Sequence, residues 1–316
     1  MKDLSIVAVN WRSVDYLRKC LHSVYQFTRR TDFEFIIVNN DPDDASVEAL
    51  EKEFPAVVLL HTGENRGFAY ANNFGFACSS GRNILFLNPD TEAIGDAIDV
   101  MLQELDGRHD AGIIGCKLLN ADLTAQTSCI QRFPAILNQV FGVEWLRLRW
   151  PKLRFWGIRS LFEDSPAPVE VEVISGACLM IKREVFEQVG RFSEEYFMYA
   201  EDADLCFKVH QAGYKTLYVG QASFIHHGGG SSRRNEVNEW ATIMQRRAIF
   251  QYFRKTRGRM YAEFYRVCIG VMALCRLALI GSLMLFRKPL AGRWSAKAAC
   301  AKWMAIFKWS IAMGNR

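Results

Sequence analysis

Runs of apolar residues of strand length alternate with amphipathic stretches over the first 120 residues. Leu4 to Val9 reads as a strand, and Asn10-Trp11-Arg12-Ser13 leaves it. Ser13 can cap the helix that follows, in which Val14, Leu17, Leu21 and Val24 recur at spacings of three and four and define one buried face. Phe35 to Val38 is a second strand, ending in Asn39-Asn40-Asp41-Pro42. Ser46 to Phe54 reads as a helix and Val57 to Leu60 as a third strand. Strands that alternate with helices predict a mostly parallel sheet with helices on its faces.

The stretch from Asn65 to Asp90 extends this alternation and adds chemistry. Gly67 permits a tight loop. Ala69, Ala71, Gly75 and Ala77 are small enough to let a helix lie close to a sheet or ligand, and Ser79-Ser80-Gly81 stops it. Ile84 to Leu87 is continuously apolar, as in a strand covered on both faces. Pro89 cannot donate to a ladder, so the strand ends and holds Asp90 at its carboxyl end, where open α/β sheets place ligands. Asn10, Asn39, Asp41 and Asp90 are thereby predicted to share one sheet edge. No Gly-x-Gly-x-x-Gly follows the first strand and there is no Walker lysine loop, which removes the main support for dinucleotide or P-loop binding.

Further on, Val100 to Leu105 reads as a helix and Ile113-Ile114-Gly115 as a short strand. Phe133 to Phe162 mixes aromatics with arginines, the composition of a loop-rich flap or of an acceptor-facing or membrane-dipping loop. Past Pro166 and Pro168, Val169 to Ile174 and Cys178 to Ile181 read as strands, and Arg183 to Val189 as a short helix closed by Gly190. In the next helix Leu205, Val209 and Ala212 form a stripe that ends at Gly213. Glu201, Asp202 and Asp204 fall in its first turn, where acids are favoured by the helix dipole and where a general base could also sit. Two short strands, Thr216 to Val219 and Ala222 to Ile225, lead to His226-His227 and a Gly228-Gly229-Gly230 loop, a combination suited to close approach of a ligand.

Charge divides the chain. From Arg246 to Arg316 there are 15 Lys or Arg and one acid, Glu263, giving +14; the rest carries −9, and the whole +5. The basic part is apolar as well, which favours an anionic lipid surface over nucleic acid. The nine scattered cysteines contain no Cys-x-x-Cys pair, so neither a disulfide framework nor a thiolate zinc site is expected. No basic, apolar leader precedes Leu4, and a reducing cytosolic setting fits.

Taken together, six collinear segments resemble a family 2 glycosyltransferase of the GT-A fold, in its rhamnosyltransferase-like branch. They are Ser5 to Trp11, Asn65 to Asn73, Leu85 to Thr91, Ser175 to Met180, Phe197 to Cys206 with its Glu201-Asp202 pair, and His226 through Ser231. The resemblance implies a catalytic domain over residues 1–245 that binds a nucleotide-diphosphate sugar such as dTDP-rhamnose through Val9, Asn10, Asn39, Asp41, Asn65, Arg66, Gly67, Asn73 and Asn88. It makes Asp90 and His226 the ligands of Mg²⁺ or Mn²⁺, and Asp202 the base of an inverting transfer, with Glu201 or Asp204 orienting acceptor or base. The implied acceptor is a glycan or lipid-linked glycan of bacterial surface polysaccharide synthesis.

Two positions depart from the family pattern. Asn39 stands where relatives carry an Asp that reads the pyrimidine; its amide carbonyl can still accept from a base N–H, without charge assistance. Asn88 leaves a single carboxylate in Asn88-Pro89-Asp90, so His226 or the diphosphate would supply more of the metal affinity. A catalytically silent scaffold is the competing class.

Residues 246–316 are expected to bind the cytoplasmic face of the bacterial inner membrane. Val267 to Phe286 is 20 residues long, interrupted at Arg276, and has basic residues at both ends, including Arg287 and Lys288. This suits an in-plane helix, with a true span or a soluble helical cap as alternatives. Trp294 to Met313 repeats the theme.

Overall fold

Each apolar run of the first half of the chain forms a strand, and each amphipathic stretch a helix. The computed structural model describes residues 1–142, 144–163, 165, 167–228, 239–285 and 296–312. Pro166, the glycine loop from Gly229 to Ser232, and Phe286, Arg287, Lys288 and Trp294 lie outside the described residues. The chain forms two compact units. One comprises Met1–Phe133, Val143–Phe197 and Glu201–Ser231; the other comprises Pro134–Gly142, Met198–Ala200 and Ser232–Arg316.

In the first unit β1 (Leu4–Asn10), α1 (Val14–Phe27), β2 (Phe33–Asn39), α2 (Glu48–Glu53), β3 (Val57–His61), α3 (Phe68–Ala77) and β4 (Asn83–Leu87) alternate as anticipated. Then come β5 (Thr91–Ile94), α4 (Ala97–Asp106), β6 (Ala111–Leu119) and β7 (Ile130–Gln131). The aromatic-basic stretch contributes α5 (Ile136–Val140), which belongs to the second unit, and α6 (Glu144–Arg149). It is thus partly helical rather than plain loop. Trp156 is buried, whereas Trp145, Leu148, Trp150 and Leu153 are exposed. β8 (Val169–Glu170), β9 (Val173–Ile174), β10 (Cys178–Lys182), α7 (Arg183–Gln188), α8 (Glu201–Gln211) and β11 (Lys215–His226) complete the unit.

The main sheet has the order β3-β2-β1-β4-β10-β6-β11-β5, with β8 on the side of β11 and a separate β7-β9 ribbon. From β3 to β4 it is parallel, as expected. Beyond that it is mixed, because β10 runs antiparallel to both β4 and β6. Two sequence expectations change. Val169 to Ile174 is not one strand: Val169–Glu170 pairs with β11 and Val173–Ile174 with β7. The break falls where the Glu172 carboxylate turns to Arg132 and to the Phe133 N–H. Conversely, the two short strands before His226 are one, because β11 continues through Gly220 by a register shift between Val219 and Ser223. Ser13 also differs from expectation: its hydroxyl donates to Asn10 Oδ1 rather than capping α1.

Packing fixes the edge where the chemistry collects. A Cβ on Gly75 would come within 2.6 Å of Val7 Cγ1 and 2.8 Å of Val38 Cγ2, so α3 lies directly on β1 and β2. Behind it the rings of Phe76, Phe86, Phe186 and Phe192 pack with centroids 4.8 to 5.5 Å apart, tying α3, β4 and α7 to the segment before α8.

In the second unit α9 (Glu239–Arg257), α10 (Arg259–Leu285) and α11 (Ala296–Ile311) pack together. Gly258, at φ +88°, makes the turn between α9 and α10. Phe253 packs edge-on against Tyr261 and Tyr265, each 5.0 Å away. At Gly270 a Cβ would sit 3.1 Å from Ser310 Cβ, so α10 and α11 cross closely. α10 is long and apolar enough to cross a membrane by length and composition. Met260, Phe264, Val267, Val271 and Leu274 recur along it at spacings of three and four and are exposed. Arg276, the charge that interrupts the run, lies over the Trp303 ring of α11 at 5.7 Å.

Candidate active site

Strand geometry brings the carboxyl end of β4 beside the start of β10, with Leu87 opposite Cys178. The Asn88 N–H donates to Ala177 O at 2.9 Å, so Asn88-Pro89-Asp90 adjoins Ser175-Gly176-Ala177. β5 leaves immediately after Asp90 and pairs antiparallel with the end of β11, with Thr91 opposite His226. Asp90 and His226, far apart in sequence, thereby meet: His226 Nε2 lies 3.3 Å from Asp90 Oδ1 and 3.4 Å from Asn88 Nδ2. The next residue braces this corner, since the His227 N–H donates to Asp90 O and its ring Nε2 lies 2.6 Å from Glu92 Oε1.

On the other side of the β10 entry loop, the Gly176 N–H donates to Asp202 Oδ2 at 3.0 Å, and the Ala203 N–H to Asp202 Oδ1 at 2.7 Å. One loop, Ser175 to Ala177, thus joins the Asp90-His226 pair to the Glu201-Asp202 pair. Burial raises the Asp202 carboxyl above its ordinary range, and its backbone donors offset part of that rise. Burial, and then the Asp202 charge, push Glu201 up to about 8. Glu201 Oε2 is buried without a hydrogen-bond partner among the described residues. The Asp202 charge helps to raise Glu201 and not the reverse, so Asp202 is the member of the pair that gives up its proton first. Tyr199 and Ala200, at φ +73° and +63°, immediately precede this helix start, an unusual backbone for two non-glycine residues. Asp204 is fully buried; it accepts from Ser193 Oγ at 2.6 Å and Tyr196 OH at 3.3 Å, and so braces the segment before α8.

The first-half edge is built differently. Asn10 Oδ1 accepts from the Ser13 N–H and hydroxyl, while Asn10 Nδ2 donates to Asn39 Oδ1 at 3.0 Å and Asp44 Oδ2 at 3.1 Å. Asn39 Nδ2 donates to the carbonyls of Asp41 and Asp44. The Asn39 carbonyl oxygen, expected to meet a base, thus already accepts from Asn10. Asp41 takes Arg12 Nε at 2.8 Å. Val9 is buried beneath this network.

Asn40 donates to Asn65 Oδ1, which also accepts the Gly67 N–H at 3.1 Å. Arg66 is half exposed, its guanidinium 3.7 Å from the Tyr70 ring centroid. Gly67, at φ +89°, has no room for a Cβ, which would strike Phe197 O; the Phe68 N–H donates to that same carbonyl at 2.8 Å. Asn73 staples α3 to the neighbouring segment, donating to Phe192 O and Glu194 Oε1 and accepting the Phe192 N–H. The Asn10-Asn39 edge therefore runs through Asn65 and Gly67 to Phe197. Phe68 approaches Gly176, whose Cβ would lie 3.6 Å from Phe68 Cε1.

Sequence reasoning missed two residues. Asp44 joins the asparagine network from the acid-rich turn Asp41 to Asp44, a cluster that could have been noticed. Gln126 lies 2.9 Å from His226 Nδ1 through Oε1 and donates through Nε2 to His226 O at 2.6 Å. A lone glutamine in a polar loop, 100 residues from its partner, carries no signal in the sequence.

Among the described residues no three His, Cys, Asp or Glu gather as a metal cage. Asp90 and His226 offer one oxygen and one nitrogen. That pair fits a divalent cation whose remaining ligands are diphosphate and water oxygens, as hard cations take beside phosphates.

Residues 5–190 match Glycosyl transferase family 2, and residues 136–313 match Glycosyl transferase family group 2, which extends through the helical region. An N-acetylglucosaminyl-diphospho-decaprenol L-rhamnosyltransferase of Mycobacterium tuberculosis is 29% identical over 262 residues, 78% of this chain and 83% of that protein. The rhamnosyltransferase WbbL of Escherichia coli is 23% identical over 277 residues, covering 83% and 97%. Among solved structures, the mannosyltransferase PcManGT from Pyrobaculum calidifontis, in complex with GDP-Man and Mn²⁺, superposes with a TM-score of 0.60 at 14% identity, covering 96% of this chain and 86% of that one. GalNAc-T7 with UDP, GalNAc and Mn²⁺ gives 0.57 at 13% identity, covering 98% and 56%. The fold is of the GT-A type.

Proposed function

Because the chain belongs to glycosyl transferase family 2, in its rhamnosyltransferase-like branch, we propose that it is an inverting, metal-dependent enzyme that moves a sugar from a nucleotide diphosphate to a lipid-linked glycan of bacterial surface polysaccharide synthesis. The observation that carries this reading is the Ser175–Ala177 loop, which bonds the Asn88 N–H on one side and the Asp202 carboxylate on the other. In this reading the leaving-group corner and the base share one short piece of backbone.

In this mechanism Asp202 is the base. It ionises before Glu201, it is fixed by two backbone N–H groups, and its burial strengthens its pull on a proton. It takes the acceptor hydroxyl proton as that oxygen attacks the anomeric carbon from the face opposite the diphosphate, inverting the configuration. Glu201, protonated, can donate a hydrogen bond to the acceptor. Asp90 and His226 would hold Mg²⁺ or Mn²⁺, which when bound neutralises charge on the departing diphosphate. The Asn10-Asn39-Asn65 edge shapes the donor pocket, with Asp41, Arg66, Gly67 and Asn73 as its walls and staples.

Residues 246–316 associate with the cytoplasmic face of the membrane, where a lipid-linked acceptor lies. The uncharged exposed stripe of α10 supports this, and the stacking of Arg276 on Trp303 keeps that charge off the stripe. Flotation with anionic liposomes, followed by salt and carbonate washes, separates peripheral binding from a span; no flotation overturns membrane association.

The deciding experiment incubates the purified full chain with UDP-, GDP- and dTDP-sugars, dTDP-rhamnose first, with and without Mn²⁺. An N-acetylglucosaminyl-diphospho-polyprenol serves as acceptor. Metal-dependent release of nucleoside diphosphate is expected, and neither release nor binding of any donor overturns the reading.

A further inference from the structure

The geometry assigns Gln126 as the residue that sets the tautomer and direction of His226, so that Nε2 keeps its lone pair for the cation it would share with Asp90. The assignment rests on the proposed metal role of that pair and adds a residue to it.

First, a backbone carbonyl can only accept, so the Gln126 group 2.6 Å from His226 O must be its NH₂. This fixes the amide orientation without ambiguity. Second, the amide oxygen then faces His226 Nδ1 at 2.9 Å, and an oxygen acceptor there requires Nδ1 to carry a hydrogen. Third, a neutral imidazole with Nδ1–H has its lone pair on Nε2. Fourth, Nε2 lies beside Asp90 Oδ1 at 3.3 Å and the Asn88 amide at 3.4 Å. The ring is thus gripped at its own backbone carbonyl and at Nδ1 by one side chain, and its remaining nitrogen is aimed at the carboxylate.

The grip is itself anchored. The Gln126 N–H donates to Leu118 O on β6 at 2.9 Å, and its carbonyl accepts the Cys129 N–H at 3.1 Å. β6 pairs in parallel with β11, whose last residue is His226. Gln126 therefore reaches the ring from a loop bonded to the neighbouring strand of the same sheet, a short path. Gln126 does not touch substrate and is a positioning residue. Partners that hold the far nitrogen of a metal-binding histidine change metal affinity by about 10- to 100-fold when removed.

The test uses the full chain labelled with ¹⁵N-histidine, with His226 assigned by its disappearance in His226→Gln. Long-range ¹H–¹⁵N spectra at a pH where the ring is neutral should show a protonated Nδ1 and an unprotonated Nε2 in the wild type. Gln126→Leu should give mixed tautomers, and it should weaken Mn²⁺ binding in the presence of dTDP about 10- to 100-fold, read from the EPR signal of free Mn²⁺. Gln126→Glu keeps an acceptor at Nδ1 but loses the donor to His226 O, so it should restore the Nδ1–H tautomer, which a merely structural role would not do. Should Gln126→Leu fail to fold, Gln126→Ser, too short to reach Nδ1, takes its place. A wild-type ring protonated at Nε2 overturns the assignment. Mn²⁺ bound equally by wild type and Gln126→Leu overturns the grip alone. Absence of Mn²⁺ binding in the wild type with any nucleotide overturns the metal reading, and this role with it.

Discussion

The two halves of the candidate site handle polar groups in opposite ways. On the first-half edge Asn10, Asn39, Asn65 and Asn73 turn their amides onto one another and onto backbone. On the second-half edge the acids are held under tension: Glu201 Oε2 is buried without a partner among the described residues, Asp202 is desolvated, and Asp90 faces an imidazole. A satisfied amide network is rigid and chemically quiet. A buried acid with few partners is reactive, because its protonation state is set by its surroundings. The difference implies that the first edge supplies shape and the second supplies chemistry.

The largest expected effect tests the chemical edge. Asp202→Asn keeps volume and can still accept at Oδ1, but cannot take a proton. Turnover should fall by roughly two to four orders of magnitude, the usual worth of a general base, while donor binding persists. Steady-state turnover, with donor affinity measured by calorimetry, checks this. Wild-type turnover in the variant would move the base elsewhere and erase the contrast between the edges.

The second effect tests the quiet edge. Asn39→Ala leaves Asn10 Nδ2 without one of its acceptors and takes a donor from the carbonyls of Asp41, which keeps the Asp44 N–H, and Asp44. Each buried group left unsatisfied costs about 1–3 kcal/mol. A lower urea midpoint is expected, with the order of preference among UDP, GDP and dTDP unchanged. If stability holds and nucleotide preference changes, Asn39 reads the base after all and the edge is not mere scaffold.

What the sequence made legible follows the same division. The parallel half-sheet could be read because each strand is an uninterrupted apolar run and each helix has a clean stripe, as in β2 and α1. The antiparallel insertion of β10 between β4 and β6 could not, since a fully buried strand looks the same in either direction. Gly220 looked like a strand end because glycine usually marks a break, but β11 carries it through a register shift. Asp90, Asp202 and His226 were visible through the family resemblance. Their junction at Ser175–Ala177 and the grip of Gln126 depend on strand pairing, which no local pattern encodes. Asn10 and Asn39 were legible as neighbours on one edge, but the bond between their amides was not, because it depends on how β1 and β2 pair.

The smallest effect concerns the proton on Glu201, and its sign separates the edges once more. In the unfolded chain this carboxyl titrates near its ordinary 4.5; in the folded protein burial and the Asp202 charge hold it up to about 8. Between those values the native state binds a proton that the unfolded state has lost, so stability must fall as pH rises through the window and level off above it. The slope for one group is at most about 1.4 kcal/mol per pH unit. Asp202, also raised, contributes in the same direction starting from its own lower value. Glu201→Gln removes the first contribution and leaves the second. Thermal melts from pH 5 to pH 8 should therefore show the wild type losing more stability than Glu201→Gln, with the two converging toward the acid end. The amide edge has no such proton, and Asn39→Ala should shift the whole curve by a constant amount. Parallel curves for wild type and Glu201→Gln would mean that Glu201 ionises normally in the folded protein, and the second edge would lose the strained acid that distinguishes it from the first.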